Sequence, residues 1–271
     1  MPELARCAIH TITTKPWDLP TCLEKYAEAG VGGVSVWREA VGPLGIREAA
    51  RRVSASGLAV PAYVRGGFFC GDTDERAAAL AENKSIIDEA AQIGAQMVVL
   101  VCGAKPGLAL SEARDQIAAG IETLLPYAEQ MKVKLAIEPL HPMYAADRSA
   151  INTMGQARQL CRMLPSPYLG IALDVYHTWW DPDLYREIEL AGEMNTLFAL
   201  HVCDWKQHTA DLLNDRGLMG EGVIDISGIR HACQDAGFAG LVEVEIFSNR
   251  WWGHDQDDYL TAICGAFEER A

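Results

Sequence analysis

Eight short and almost unbroken apolar runs recur along the chain: ARCAIHTI, GGVSVW, LAVPAYV, AQMVVLV, VKLAIE, LGIALDV, LFALHVC and LVEVEIF. Longer stretches with helical spacing separate them, at 19–29, 74–93, 111–131, 153–163, 183–192 and 225–236. A strand that is apolar at nearly every position is buried on both faces, which calls for a parallel sheet covered by helices. Gly30, Gly57, Gly94 and Gly237 stand where helices would close in a left-handed conformation. Eight strand-then-helix units in 271 residues is the count of a closed barrel, whereas an open doubly wound sheet usually has fewer strands. No linker rich in Pro, Gly or Ser divides the chain. The expectation is an α/β protein, a single (β/α)8 TIM barrel domain over residues 1–271, in which 248–271 opens as a loop and ends in a last helix.

Composition narrows the partners. Lys and Arg number 23 against 37 Asp and Glu, a formal charge of −14. Phosphate backbones and anionic membrane surfaces require a basic face, so neither nucleic acid nor membrane is an expected partner. No segment has the roughly 18 consecutive apolar residues of a membrane helix, and MPELARCAIH lacks a secretory apolar stretch. The eight cysteines are never closer than 15 residues apart and form no CxxC. Reduced thiols packed as small hydrophobes, in a cytoplasmic protein, are the expectation.

A barrel directs polar residues at the carboxyl ends of its strands into one mouth. Glu138 ends the fifth run, Asp174 the sixth with His177 beyond it, His201 lies in the seventh with Asp204 after it, and Glu243 and Glu245 lie in the eighth. Carboxylates inside apolar runs are costly to bury unless paired or metal-bound. Three carboxylates and one histidine suit a single divalent ion, Mn²⁺ or Mg²⁺ before Co²⁺, Zn²⁺ or Fe²⁺. Glu243 and Glu245 are two apart and share a face, so one can be a ligand and the other a structural partner deeper in the barrel. Taken singly, a strand-end carboxylate is more often a cap or an ion-pair partner, and a lone core histidine more often a hydrogen-bonding one. The coincidence across four strands outweighs those readings.

Glu138 in IEPL, Asn152 in INT, Asp174 and His177 in DVYH, His201 in HVCD, Arg216 in NDRGLMGEG, Gly220 and Gly222 ahead of VIDI, and Glu245 in VEIF form an ordered set. In that order the sequence resembles the sugar phosphate isomerase/epimerase superfamily. These xylose-isomerase-like barrels include ketose 3-epimerases, inosose isomerases and dehydratases, and the distant endonuclease IV enzymes. The resemblance implies that Glu138, Asp174, His201 and Glu245 bind one metal, and that His177 and Arg216 hold substrate oxygens. The chain departs from similar ketose 3-epimerases at EPLHPMY, where His141, Pro142 and Tyr144 replace an Asn-Arg pair and a further acid. His141 is therefore either a substrate ligand or a structural loop histidine. For Arg216 the alternative is a surface pair with Asp215 or Glu221.

Such a site permits a metal-stabilised enediolate, with Glu138 and Glu245 removing and returning a proton on opposite faces. Trp37, Trp179, Trp180, Trp205, Trp251 and Trp252 follow strand ends, where indole faces suit a sugar ring or pack the loops. Lys206 and Arg216 face Asp211, Asp215, Glu221 and Asp225 in 205–225, which disfavours phosphate. The expected function is a metal-dependent isomerase or epimerase of an unphosphorylated keto-sugar, keto-glycoside or inosose. A lyase, dehydrating or eliminating a glycoside, is the alternative with the same residues, and a non-catalytic sugar-binding barrel the third. A homo-oligomer is left open.

Overall fold

The computed structural model describes residues 3–271. Its eight strands are β1 (Cys7–His10), β2 (Gly33–Trp37), β3 (Ala62–Gly67), β4 (Met97–Val101), β5 (Lys134–Ile137), β6 (Leu169–Asp174), β7 (Leu197–Val202) and β8 (Val242–Val244). All neighbours run parallel, and β8 closes onto β1 to complete a barrel in sequence order. One long helix follows each strand: α1 (Leu19–Glu28), α2 (Ile46–Ser56), α3 (Thr73–Ile93), α4 (Leu110–Met131), α5 (Met154–Met163), α6 (Leu184–Glu193), α7 (Ile226–Asp235) and α8 (Gln256–Arg270). Helix α2 was missing from the helical stretches read in sequence, although Gly57 ends it at φ +75° as expected. The loop expected after 248 contains a helical turn, Asn249–Trp252, before α8 begins. No helix among the described residues is long and apolar enough to cross a membrane.

Alternation along each strand sorts the residues by layer. Ile9, Leu135, Ile137, Ile171, Leu173, Leu200, Val202, Val242 and Val244 face outward into one core shared with the helices. Ala62, Val64, Met97, Val99, Ala136, Ala172 and Ala199 make a second cluster. One step of two residues toward the carboxyl end carries Ala136 to Glu138, Ala172 to Asp174 and Ala199 to His201. The small apolar residues thus support a polar layer directly above them. Register completes the layer, with Asp174 opposite His201 and His201 opposite Glu243.

The segment after β7 is built around one buried carboxylate. Asp204 accepts main-chain N–H bonds from Trp205, Gly220, Gly222 and Ile224 at 2.8–3.0 Å. A Cβ on Gly222 would lie 2.1 Å from the Trp205 carbonyl and 2.4 Å from Asp204 Oδ1, so only glycine lets the chain approach. Main-chain bonds in both directions between Asp204 and Gly217, with Arg216 N–H donating to the Phe247 carbonyl, then fix the chain on either side of Arg216. The Gly-Glu-Gly motif is thereby explained as a cradle for Asp204. Replacing Asp204 by Asn sets an NH₂ group against main-chain donors. Denaturant unfolding of Asp204→Asn is expected to show a loss of about 3 kcal/mol, as for an impaired charged hydrogen-bond set.

Candidate functional site

Glu138 directly after β5, Asp174 ending β6, His201 in β7 and Glu245 directly after β8 bring one ligand atom each within 4.8 Å of one another. All four side chains are buried. His201 Nδ1 lies 3.2 Å from Glu138 Oε1, yet the two are not aligned as a hydrogen bond, and neither atom has another such partner. Buried polar atoms without partners are rare in folded proteins. Here they converge with two further carboxylates, an arrangement of oxygen donors and one imidazole that fits a divalent cation.

The titration of the cluster reflects the same need for positive charge. Burial, opposed by Arg216 and reinforced by the charges of Glu245 and Glu138, pushes Asp174 up to about 7. Burial would push His201 down, but its contact with Glu138 and the charges of Glu243, Glu245 and Glu138 lift it to about 10. For Glu245 burial works upward and is overcome by His10, Arg216 and His201, which hold it well below the usual carboxylate range. Protons and one guanidinium here balance charge that a cation would otherwise balance.

Beneath the four lies a set that the sequence reading missed in part. His10, at the end of β1, sits 3.2 Å from Glu243 Oε2 through Nε2 and 3.1 Å from Glu245 Oε1 through Nδ1. Ser35 donates to Glu243 at 2.5 Å, and the Trp37 indole N–H donates to His10 Nδ1 at 3.1 Å. His201 Nε2 is 3.8 Å from the same Glu243 oxygen. Glu243 is thus the deeper partner of the two strand-eight acids. A carboxylate behind Nε2 favours the tautomer that leaves His201 Nδ1 free as a ligand. The available signal for His10 was its position as the polar residue of the first apolar run, equivalent to the positions read on strands five to eight.

The mouth opens into a cavity of about 950 Å³ with Glu138, His177, Arg216 and Glu245 among its lining. Arg216 is buried, and neither Asp215 nor Glu221 is its partner. Its Nη1 donates to Asp174 Oδ2 at 3.1 Å and to Glu245 Oε2 at 3.0 Å, while the guanidinium lies over Tyr176 and Phe247. Asp215 pairs with Lys206 and Glu221 with Arg250. His177 Nδ1 accepts the His141 main-chain N–H at 3.3 Å, and its Nε2 faces Arg216 Nη2 at 3.3 Å. Burial and the Arg216 charge hold its pKa well below the usual range, so it stays neutral.

His141 is not among the cavity-lining residues. Its Nδ1 accepts the Met143 N–H, capping the turn Pro142–Tyr144, and its ring packs against Trp180 and Trp205. The ring is engaged by the loop, and the residue contacts His177 through its main-chain N–H. Asn152 likewise holds the loop, donating to the Leu140 and Ser149 carbonyls. Of the six tryptophans singled out in sequence, Trp37 lines the cavity, joined by Trp17, Phe68, Tyr144 and Phe247. Trp205 instead stacks on Tyr176, and Trp251 on Tyr259.

Two outcomes follow for metal binding. Replacing any one of Glu138, Asp174, His201 or Glu245 by Ala should abolish stoichiometric divalent metal, measured by elemental analysis, while circular dichroism stays parental. Full occupancy in two such variants would exclude the assignment. Glu243→Gln should retain the four ligands yet weaken calorimetric metal affinity by roughly 10- to 100-fold, because it loses the anion behind His201.

Comparison with known proteins identifies the family. Residues 23–263 match the xylose isomerase-like TIM barrel family. A solved structure, protein SMc04130 from Sinorhizobium meliloti 1021, superposes with a TM-score of 0.96 at 42% identity over 99% of both chains. An inosose isomerase from Halalkalibacterium halodurans is 25% identical over 52% of this chain and 49% of its own length. A 3-dehydroshikimate dehydratase from Pseudomonas putida is 26% identical over 85% of this chain and 36% of its own. The matched stretch thus spans half or less of these two curated relatives. The chain belongs to the xylose isomerase-like TIM barrel family.

Proposed function

We propose that the protein is a divalent-metal-dependent isomerase or epimerase acting on an unphosphorylated keto-sugar, keto-glycoside or inosose. The observation that carries this reading is the convergence of Glu138, Asp174, His201 and Glu245 at the floor of the cavity, beside His177 and Arg216. The inosose isomerase relative supports the same substrate class. A cation held there, Mn²⁺ before Mg²⁺, Co²⁺, Zn²⁺ or Fe²⁺ on its donor set, would supply Lewis acidity toward a carbonyl and its neighbouring hydroxyl.

The chain's own groups do the rest. Glu138 and Glu245 enter from β5 and β8 and both line the cavity, so each can reach a different face of a flat substrate. One removes the proton α to the carbonyl and the other returns a proton, which gives epimerisation or carbonyl migration. With Nδ1 accepting from His141, the His177 proton sits on Nε2, facing an Arg216 N–H. Asp174 Oδ2, at 3.7 Å from His177 Nε2, is beyond hydrogen-bond distance, so the two facing donors have room for a shared oxygen acceptor, and the Arg216 Nε–H has no hydrogen-bond partner among the described residues. A substrate hydroxyl or enolate oxygen would be such an acceptor. Phe247 and Trp37, with ring centroids 5.4 Å apart, offer an apolar wall to the C–H face of a ring.

The dehydratase relative favours a second reading. If the β-carbon bears a leaving group, loss of the same α-proton is followed by its expulsion, and the protein is a lyase. Incubation of the Mn²⁺-loaded protein in D₂O with a panel of ketoses, inososes and 3-keto-glycosides separates the two by NMR. The proposal expects deuterium at an inverted or α carbon with the skeleton intact. Release of water or an aglycone, with a conjugated enone absorbing in the near ultraviolet, would establish the lyase instead. No exchange into any substrate would remove both.

A further inference from the structure

Two arginines in the cavity wall stand without a hydrogen bond or ion pair among the described residues. Arg65, in β3, and Arg148, in the loop after β5, are half-buried and line the same cavity as the metal-ligand cluster. Neither guanidinium makes a hydrogen bond or ion pair with any described residue. Each lies on aromatic faces instead. Arg65 sits 5.6 Å from the Trp37 ring and 5.3 Å from Phe68, and Arg148 sits 5.0 Å from Tyr144. By contrast, the half-buried Arg38 and Arg158 pair with Glu89 and Glu187, and Arg114 donates to the Ala150 carbonyl.

The segments that carry the two arginines meet at one glycine. A Cβ on Gly103, just past β4, would lie 3.0 Å from the Phe68 α-carbon, and Gly103 bridges to Ser149. The loops that carry Phe68 and Arg148 therefore flank the same glycine. Phe68 is held at φ +58°, a conformation costly for a phenylalanine, and the residue is 44% exposed with its ring against Arg65. Strain of this kind persists where surrounding structure fixes it, often at ligand sites. The wall is also continuous with the cation cluster, because Trp37 packs on Phe247 and Phe247 on Arg216.

We propose that Arg65 and Arg148 form a carboxylate clamp, and that the substrate is a polyhydroxylated ketone bearing a carboxylate at the end remote from its carbonyl. The inference rests on the reading of the cluster as a keto-sugar site and narrows its substrate class. A guanidinium on an aromatic face is preorganised to meet a planar carboxylate with two parallel N–H bonds. A phosphate dianion fits less well, because Asp18, Glu39 and Asp147 line the same cavity. Of these, Asp18 already accepts the Thr21 N–H as the cap of α1.

Matched probes test the clamp by calorimetry on the Mn²⁺-loaded protein: D-glucuronate against D-glucose, quinate against myo-inositol, and D-glucose 6-phosphate. In at least one pair the acid should bind about 10- to 100-fold more tightly than its neutral partner, the range of charge-assisted hydrogen bonds. Arg65→Gln and Arg148→Gln should each reduce that preference at least severalfold, with metal content and Tm parental, and Arg65→Lys should keep part of it. Equal binding within both pairs, a preference that survives both Gln variants, or tighter binding of the 6-phosphate than of glucuronate would overturn the clamp. Deuterium exchange into neutral ketoses together with equal binding would discard the clamp and keep the isomerase reading. An acid preference without exchange into any ketone would do the reverse.

Discussion

Four carboxylates, Glu138, Asp174, Glu243 and Glu245, are packed beside one another on the inner face of β5, β6 and β8, away from water. Isolated ionised carboxylates in such a place would cost several kcal/mol each, more than the net stability of most domains can absorb. Much of the surrounding architecture supplies compensation. His10 reaches Glu243 and Glu245 from β1, Ser35 reaches Glu243 from β2, and Arg216 is carried in from the loop after β7 to touch Asp174 and Glu245. Strands distant in sequence are thereby tied through one electrostatic cluster. The alanines below it, at 136, 172 and 199, are buried and small, which leaves the polar layer its room.

The fold was legible because a parallel barrel leaves a coarse imprint: eight buried strands, each apolar nearly throughout, at helix-length spacing. The four candidate ligands were legible for the same reason, since each is a polar residue at the carboxyl end of an apolar run. What was not legible depended on partners far apart in the chain. His10 meets Glu243 across 233 positions. The partners of Arg216 are acids on β6 and after β8, whereas the acids beside it in sequence, Asp215 and Glu221, bind other cations. His141 was a candidate because EPLHPMY stands where similar ketose 3-epimerases carry an Asn-Arg pair and a further acid, with a structural loop histidine as the alternative. A proline-led turn sends its ring against Trp180 and Trp205, and only its main chain serves His177.

The tryptophans carry a similar lesson. Proximity to a strand end does not decide which indole faces the cavity, because the loops fold back on themselves. Trp205 is taken up by Tyr176, and Trp251 by Tyr259. Trp37, the last residue of β2, has no such freedom, and its ring forms both cavity wall and hydrogen-bond donor to His10. Arg65 was overlooked because one arginine in LAVPAYVRGG reads as an ordinary strand-end charge. What sets it apart is its guanidinium resting on Trp37 and Phe68, with no hydrogen bond or ion pair among the described residues.

The cradle around Asp204 divides the segment after β7 into parts under different constraint. Trp205 and Gly220 to Ile224 are clasped to that carboxylate, and Gly217 is bonded back to Asp204, so the chain leaves and returns through nearly one point. The Lys206–Asp215 ion pair and the bridges of these two residues to Gly222 and Ser248 close the base of an excursion over 207–213, whose tip is held by ties such as the Tyr144 and Tyr176 hydroxyls on the Leu212 carbonyl. Leu213 on that excursion faces the cavity. An insertion or deletion there would reshape the roof over a bound molecule and leave Arg216 in place. The arrangement separates evolution of substrate range from conservation of chemistry, with the excursion as an exchangeable cassette on an unchanged reaction centre.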